Sequence, residues 1–183
     1  QLIHTDLREF FAIINSHRES LRKLFYDYSE WKTYIKNWKN EFNDFDKSEN
    51  IKDGLNPSIF IKDLSFHSNE DAKIFIDTGC SIAWMMQKFE VKKHQRLFHD
   101  FNNTAMGWAL PASIGSYFAD NKSNIISIIG DGSFMMSIQE LATIKHHKIP
   151  LKIFIINNNG YSMIKQTQEQ WLDSKYYASS LEG

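Results

Sequence analysis

Apolar residues recur along this chain in two rhythms. Over residues 6–24, Leu7, Phe10, Phe11 and Ile14, then Leu21 and Leu24, follow the three-to-four spacing of a helix. Asp6 stands in front as a candidate N-cap. Over residues 29–42 the spacing repeats with Trp31, Tyr34, Ile35, Trp38 and Phe42, read as packing stripes rather than ligand boxes. The polar, turn-rich stretch NDFDKSENIKDGLNP (43–57) is the best linker candidate.

Beyond the linker the texture changes. PSIFIKDLSF predicts a helix with Pro57 in its first turn. KIFIDTG predicts a short buried strand that ends in a turn, and RLFHDF predicts another strand. The small, apolar stretch 104–119 suits a buried helix, which Pro111 either kinks or opens, depending on where the helix starts. NIISIIG is a continuous apolar run, as in a strand covered on both faces. Ser137 and Glu140 have capping-box spacing, with Leu141, Ala142 and Ile144 on one face after them. LKIFII then predicts the next buried strand. Strand, helix and strand within about thirty residues form a crossover unit, so the two strands should be parallel. The expected fold class is α/β, an open, mostly parallel sheet with helices on both faces.

Composition narrows the function classes. At 183 residues the chain has room for one domain, or for one domain plus part of another. A hydrophobic share of 42% supports a core, and a net charge of −1 gives no electrostatic case for nucleic acid or an anionic membrane. No apolar run approaches the roughly 18–20 residues that span a bilayer. Cys80 is the only cysteine, which excludes an internal disulfide and makes a reducing, cytoplasmic setting the default. The start, QLIHTDLREFF, lacks the pattern of a signal peptide. A first residue of Gln, not Met, and an end at SSLEG lead us to expect a piece of a longer protein, incomplete at the C-terminus.

The candidate chemistry lies in IIGDGSFMMSIQELATIKHHKIPLKIFIINNNGY, residues 128–161. Parallel strands joined by a crossover place their carboxyl ends on one edge of the sheet, where ligands of such sheets bind. Asp131 and Asn157–Asn159 should therefore converge. A carboxylate, an amide oxygen and a backbone carbonyl are the hard donors that Mg²⁺ or Ca²⁺ prefers. Gly130 and Gly132 allow close backbone approach, and the following helix offers N–H groups to an anion. A metal beside such amides suggests a diphosphate. Taken singly, G-D-G is an ordinary turn and NNNG an ordinary loop; their joint placement after two apolar strands carries the reading. His146 and His147 fit a solvated helix end better than a metal site.

GDGSF followed by NN, with Asp131 and Asn158 separated by 27 positions, resembles the thiamine-diphosphate motif. NPSIFIKDL, FIDTGCSIAW, TAMGWALPASIG, GDGSFMMSIQELATI and NNNGYSMIKQTQ follow the order of the cofactor-binding domain of acetolactate synthase-like enzymes, over roughly residues 51–172. The resemblance implies that residues 1–50 are the tail of a middle domain with its connecting helix, and 51–183 a C-terminally truncated cofactor domain. It implies that Asp131, the Asn158 side chain and the Gly160 carbonyl hold Mg²⁺. Gly79, Cys80, Ser81, Gly130, Gly132, Ser133 and Tyr161 would contact the cofactor, with the phosphates on the turn at 79–81 and on Gly132 and Ser133. Met106 matches the apolar residue that keeps the cofactor bent, and the Thr104 carbonyl would accept a hydrogen bond from its amino group. Read without the resemblance, Met106 is also suited to a core and Cys80 to a small buried hydrophobe.

The implied activity is decarboxylation of a 2-oxo acid with carboligation to a second carbonyl. An essential glutamate would come from a second subunit in a homodimer or homotetramer; no residue here takes its role, and FAD stays open. Thr167 stands where such synthases often carry Trp, and Gly79-Cys80-Ser81 reads GCS where GQH is usual. Both departures resemble synthase-like enzymes of sugar and polysaccharide pathways, where a two-carbon unit is added to a keto-sugar nucleotide. A non-catalytic remnant that keeps only the binding fold is a further class.

Overall fold

Side-chain caps start the helices where the sequence places Asp and Asn. The computed structural model describes residues 4–24, 27–42, 54–120 and 124–181, divided into two compact units, Gln1–Asn50 and Ile51–Gly183. In the first unit, Asp6 accepts a hydrogen bond from the Arg8 amide and opens α1 (Leu7–Ser16), followed by α2 (Arg18–Leu24) and α3 (Ser29–Phe42). No described residue of α1 or α3 is buried. Trp38 packs on the rings of Trp31 and Tyr34, at centroid distances of 5.6 and 6.2 Å. The packing stripe expected there is thus left uncovered within its own unit. Most of the expected linker lies outside the described residues.

The second unit opens on α4 (Pro57–His67), capped by the Asn56 side chain on the Ser58 amide, with Pro57 in the first turn where no intrahelical donor is needed. Next come β1 (Lys73–Ile76), α5 (Cys80–Lys88), β2 (Arg96–His99), α6 (Ala109–Ala119) and β3 (Ile125–Gly130). The chain continues through α7 (Asp131–Ser137), α8 (Glu140–His147), β4 (Leu151–Ile156) and α9 (Ser162–Trp171). The four strands are parallel in the order β2-β1-β3-β4. Alternate residues of the central strands face opposite layers. Ile74, Ile76, Ile126 and Ile128 pack with Ile61 and Leu64 of α4 and Ile82 and Met85 of α5. Phe75 and Ile125 pack with Ala109 of α6 on the other face. Coverage on both faces is why these strands read as largely apolar runs, interrupted in β3 only by Ser127.

Pro111 is the third residue of α6, so the helix starts late and is not kinked by it. Two other expectations are corrected. LKIFII forms β4, but β4 is an edge of the described sheet with Lys152 and Ile155 exposed, so it is not a fully buried strand. Ser137 and Glu140 do not form a capping box. Ser137 is the last residue of α7, and its buried hydroxyl has no hydrogen-bond partner. Gln139 holds the N-cap position of α8 without a side-chain bond, and Glu140 accepts from Thr143 instead. The crossover therefore carries two short helices, and α8 has no buried residue.

The connections after β1 and β3 leave in opposite directions. After β1 the chain turns to α5, in the layer that contains α4; after β3 it turns to α7, which packs with α6 in the opposite layer. The carboxyl ends of adjacent β1 and β3 thus diverge, and a crevice opens between them.

Replacing Ser137 separates a cap from an unpartnered buried hydroxyl. Ser137→Ala should leave stability within about 0.5 kcal/mol of the parent or raise it, as measured by chemical denaturation. A loss of about 1 kcal/mol or more would restore the capping role.

Candidate functional site

The crevice is a cavity of about 220 Å³. Gly79, Cys80 and Ser81 reach it from the end of β1, and Thr104 and Met106 from the loop before α6. Gly130, Asp131, Gly132 and Ser133 come from the end of β3, and Asn158, Gly160 and Tyr161 from the end of β4. All the site residues expected from the sequence therefore meet on one wall system. His146 and His147 lie on the last, exposed turn of α8 and do not line it.

Asp131 is the junction. Its Oδ1 accepts the Gly132 amide at 2.8 Å, and its Oδ2 accepts the amides of Asn158 at 3.2 Å and Gly160 at 3.1 Å. A carboxylate offers about four acceptor positions, so three amides orient it and leave capacity toward the cavity. The asparagine loop can aim two amides at one carboxylate because Asn159 and Gly160 have φ of 57° and 149°. At Gly160 a Cβ would lie 2.3 Å from the Ser179 carbonyl, so glycine is required. The following chain holds this loop down. Tyr161 donates its amide to Ser179 O at 2.9 Å, Leu181 donates to Asn159 O at 3.3 Å, and Lys165 Nζ reaches the same oxygen at 3.3 Å.

The β1 end is built differently. Gly79, at φ 91°, holds the N-cap position of α5 with no side-chain cap, and the space where a Cβ would project is open. The first amides of α5 thus meet the cavity without a local acceptor from the cap, the arrangement that suits an anion. Burial pushes the Cys80 thiol above its ordinary range, so it is a neutral thiol at neutral pH and acts as a small, weakly polar wall. Ser81 and Ser133 are buried. Thr104, in the left-handed region at φ 51°, is exposed, and Met106 is half-buried on the apolar side.

Several lining residues escaped the sequence reading. Trp84, Ile156, Met163 and Ile164 give the cavity an apolar flank. The apolar pair just after the asparagine loop was the available signal for Met163 and Ile164. Asp77 is buried completely at the carboxyl end of β1; an acid closing an apolar run, KIFID, was the signal there. Thr167 does not line the cavity. It is exposed on α9, one turn beyond Met163, and its hydroxyl bonds the Met163 carbonyl at 3.0 Å.

The family model for "Thiamine pyrophosphate enzyme, C-terminal TPP binding domain" matches residues 77–182, from the end of β1 through the segment that holds the asparagine loop. The chain belongs to this family. Its acetolactate synthase-like character is carried by curated relatives. The acetolactate synthase isozyme 2 large subunit of Escherichia coli (strain K12) is 30% identical over 70% of this chain and 24% of its own length. The acetolactate synthase large subunit of Lactococcus lactis is 32% identical over 85% of this chain and 27% of its own. Acetolactate synthase 1, chloroplastic, of Nicotiana tabacum is 32% identical over 97% of this chain and 26% of its own. The chain thus spans about a quarter of the length of these relatives. Among the described residues, no helix is long and apolar enough to cross a membrane.

Gly132 is a family-motif glycine whose necessity has a local cause: an added Cβ would lie 2.2 Å from the Tyr161 ring. Gly132→Ala should therefore cost about 1–3 kcal/mol in chemical denaturation, because the ring must move. Gly132→Ala combined with Tyr161→Ala should recover much of that loss. Strict additivity of the two substitutions would show that the ring does not press on Gly132.

Proposed function

We propose that this chain is the diphosphate-side cofactor domain of a larger enzyme that uses thiamine diphosphate and Mg²⁺. The enzyme decarboxylates a 2-oxo acid and joins the remaining fragment to a second carbonyl, in the manner of acetolactate synthase. The observation that carries the reading is the Asp131 carboxylate, held by amides from both strand ends at the mouth of one cavity. The donor set fits the metal: the Asp131 carboxylate, the Asn158 amide oxygen and the Gly160 carbonyl are hard oxygens on residues that line one cavity. The uncapped first turn of α5 beside Gly79 fits a diphosphate.

When bound, the cofactor supplies an electron sink for the carbon–carbon bond that breaks. This chain's residues bind and orient. The amides of Cys80 and Ser81, with Ser133, would hold phosphate oxygens, while the Gly132 amide is already given to Asp131 Oδ1; Gly130, Gly132 and Tyr161 shape the wall. Met106 would present an apolar side chain to the cofactor and exclude water, and the Thr104 carbonyl would be the acceptor for its amino group. The glutamate that completes proton movement comes from a second subunit, in a homodimer or homotetramer, and the enzyme is cytoplasmic. Residues 1–50 are the tail of a middle domain and its connection, and residues 51–183 the truncated cofactor domain. Removing the metal anchor tests this directly. In the full-length protein, Asp131→Ala should abolish Mg²⁺-dependent binding of thiamine diphosphate, followed by tryptophan fluorescence, while far-ultraviolet circular dichroism stays native. Unchanged cofactor affinity would overturn the assignment.

One observation favours an acceptor bulkier than a small keto acid. Thr167, one turn beyond cavity-lining Met163, carries a small side chain whose hydroxyl is turned back to the helix. An indole there would narrow the approach to the cavity. A single apolar group shifts selectivity by about 1–3 kcal/mol, so Thr167→Trp should move product ratios toward pyruvate or 2-oxobutyrate when they compete with a keto sugar. Equal ratios in both proteins would remove Thr167 from acceptor choice.

A further inference from the structure

We propose that Asp77 is a positioning residue that locks the Thr104–Met106 wall to the turn at residues 78–81. The inference rests on the thiamine-diphosphate reading and adds a residue that holds the cofactor's two halves in register. Asp77 belongs to the sheet by its backbone and to the loop by its side chain. Its amide donates to Ile128 O at 2.9 Å, which extends the pairing of β1 with β3 by one residue. Its Oδ1 accepts the Gly107 amide at 3.1 Å, and its Oδ2 accepts the Ala109 amide at 2.8 Å.

These two amides bracket the point where the loop becomes α6. Trp108 holds the N-cap position of α6 and gives no side-chain cap, so a carboxylate from another element takes that role. The loop's outer end is held by a second acid. Thr104 donates its amide to Asp100 O at 2.8 Å, and Asn103 Nδ2 reaches Asp100 Oδ1 at 3.2 Å. Asp100 is half-buried, whereas Asp77 is fully buried, where charge-assisted bonds to amides are strongest and least replaceable by water. Gly107, at φ 79°, is also tight: a Cβ there would lie 3.1 Å from Met136 Cβ, so the segment has little room to drift. Met106 precedes Gly107 in sequence, and Thr78 follows Asp77. One side chain therefore sets the spacing between the apolar wall and the phosphate turn.

Asn has the shape of Asp but presents one acceptor and one donor, so Asp77→Asn leaves one of the two amides facing another N–H. In the full-length protein with saturating thiamine diphosphate and Mg²⁺, Asp77→Asn should keep cofactor affinity close to wild type. It should weaken the near-ultraviolet dichroism induced in the bound cofactor, and lower turnover roughly ten- to a hundredfold, the scale of a small misplacement. Hydrogen exchange on wild type supplies a readout that needs no variant: the Gly107 and Ala109 amides should be protected although they lie at a loop boundary. Unchanged dichroism and turnover in Asp77→Asn would overturn the proposal. So would a fall in melting temperature with turnover per folded molecule intact, or rapid exchange of both amides in wild type. Should wild type bind no thiamine diphosphate, the cofactor reading itself falls and this inference with it. Should the Asn variant fail to fold, the wild-type exchange result decides.

Discussion

Three backbone amides on one carboxylate hold this site together. Asp131 follows β3 and opens α7, and the amides of Asn158 and Gly160 belong to the loop after β4. Without that carboxylate, the buried Gly132 and Gly160 amides would lose their acceptor and a left-handed loop would lose its anchor. Each bond of this kind is worth more than a neutral one, because the acceptor is charged and the surroundings are partly dry. The same three bonds leave the carboxylate oriented toward the cavity, so structural need and ligand chemistry point at the same oxygen atoms.

The sheet makes this meeting unavoidable. Parallel pairing of β3 with β4, from Ile125 with Leu151 to Gly130 with Ile156, brings the two motif loops to one edge. Divergence of the chain after β1 and β3 into opposite layers opens the crevice beside them. Ile74, Ile76, Ile126 and Ile128 on one face, and Phe75 and Ile125 on the other, then make the platform rigid, since both faces are packed. Function sits in the loops, and precision comes from the strands beneath them. Asp77 extends this logic: a buried acid at the end of β1 positions a loop that the sheet does not otherwise reach.

How much of this was legible depends on the range of the interaction. The mostly apolar runs of β1 and β3 announced strands covered on both faces, with buried Ser127 the polar exception in β3. The spacing of Asp131 and Asn158 announced the motif, and the crossover rule turned it into proximity. The edge position of β4 was hidden, since LKIFII reads like a central strand until the strand order is known. The capping box failed because Ser137 and Glu140 have suitable spacing while Ser137 already ends another helix. Asp77 was missed because its two partners lie thirty and thirty-two residues downstream, where no local pattern connects them. The exposed rings of Trp31 and Tyr34 show the converse: a clear helical stripe tells that a face is apolar, not what covers it.

The central claim is that Asp131, Asn158 and Gly160 form one metal site serving a diphosphate. Anomalous diffraction from crystals of the full-length protein grown with thiamine diphosphate and Mn²⁺ tests it most directly. The account predicts a single strong peak within bonding distance of the Asp131 carboxylate, the Asn158 amide oxygen and the Gly160 carbonyl, with cofactor phosphate oxygens completing the shell. Bound cofactor with no peak at these three groups, or with its metal held elsewhere, would contradict it.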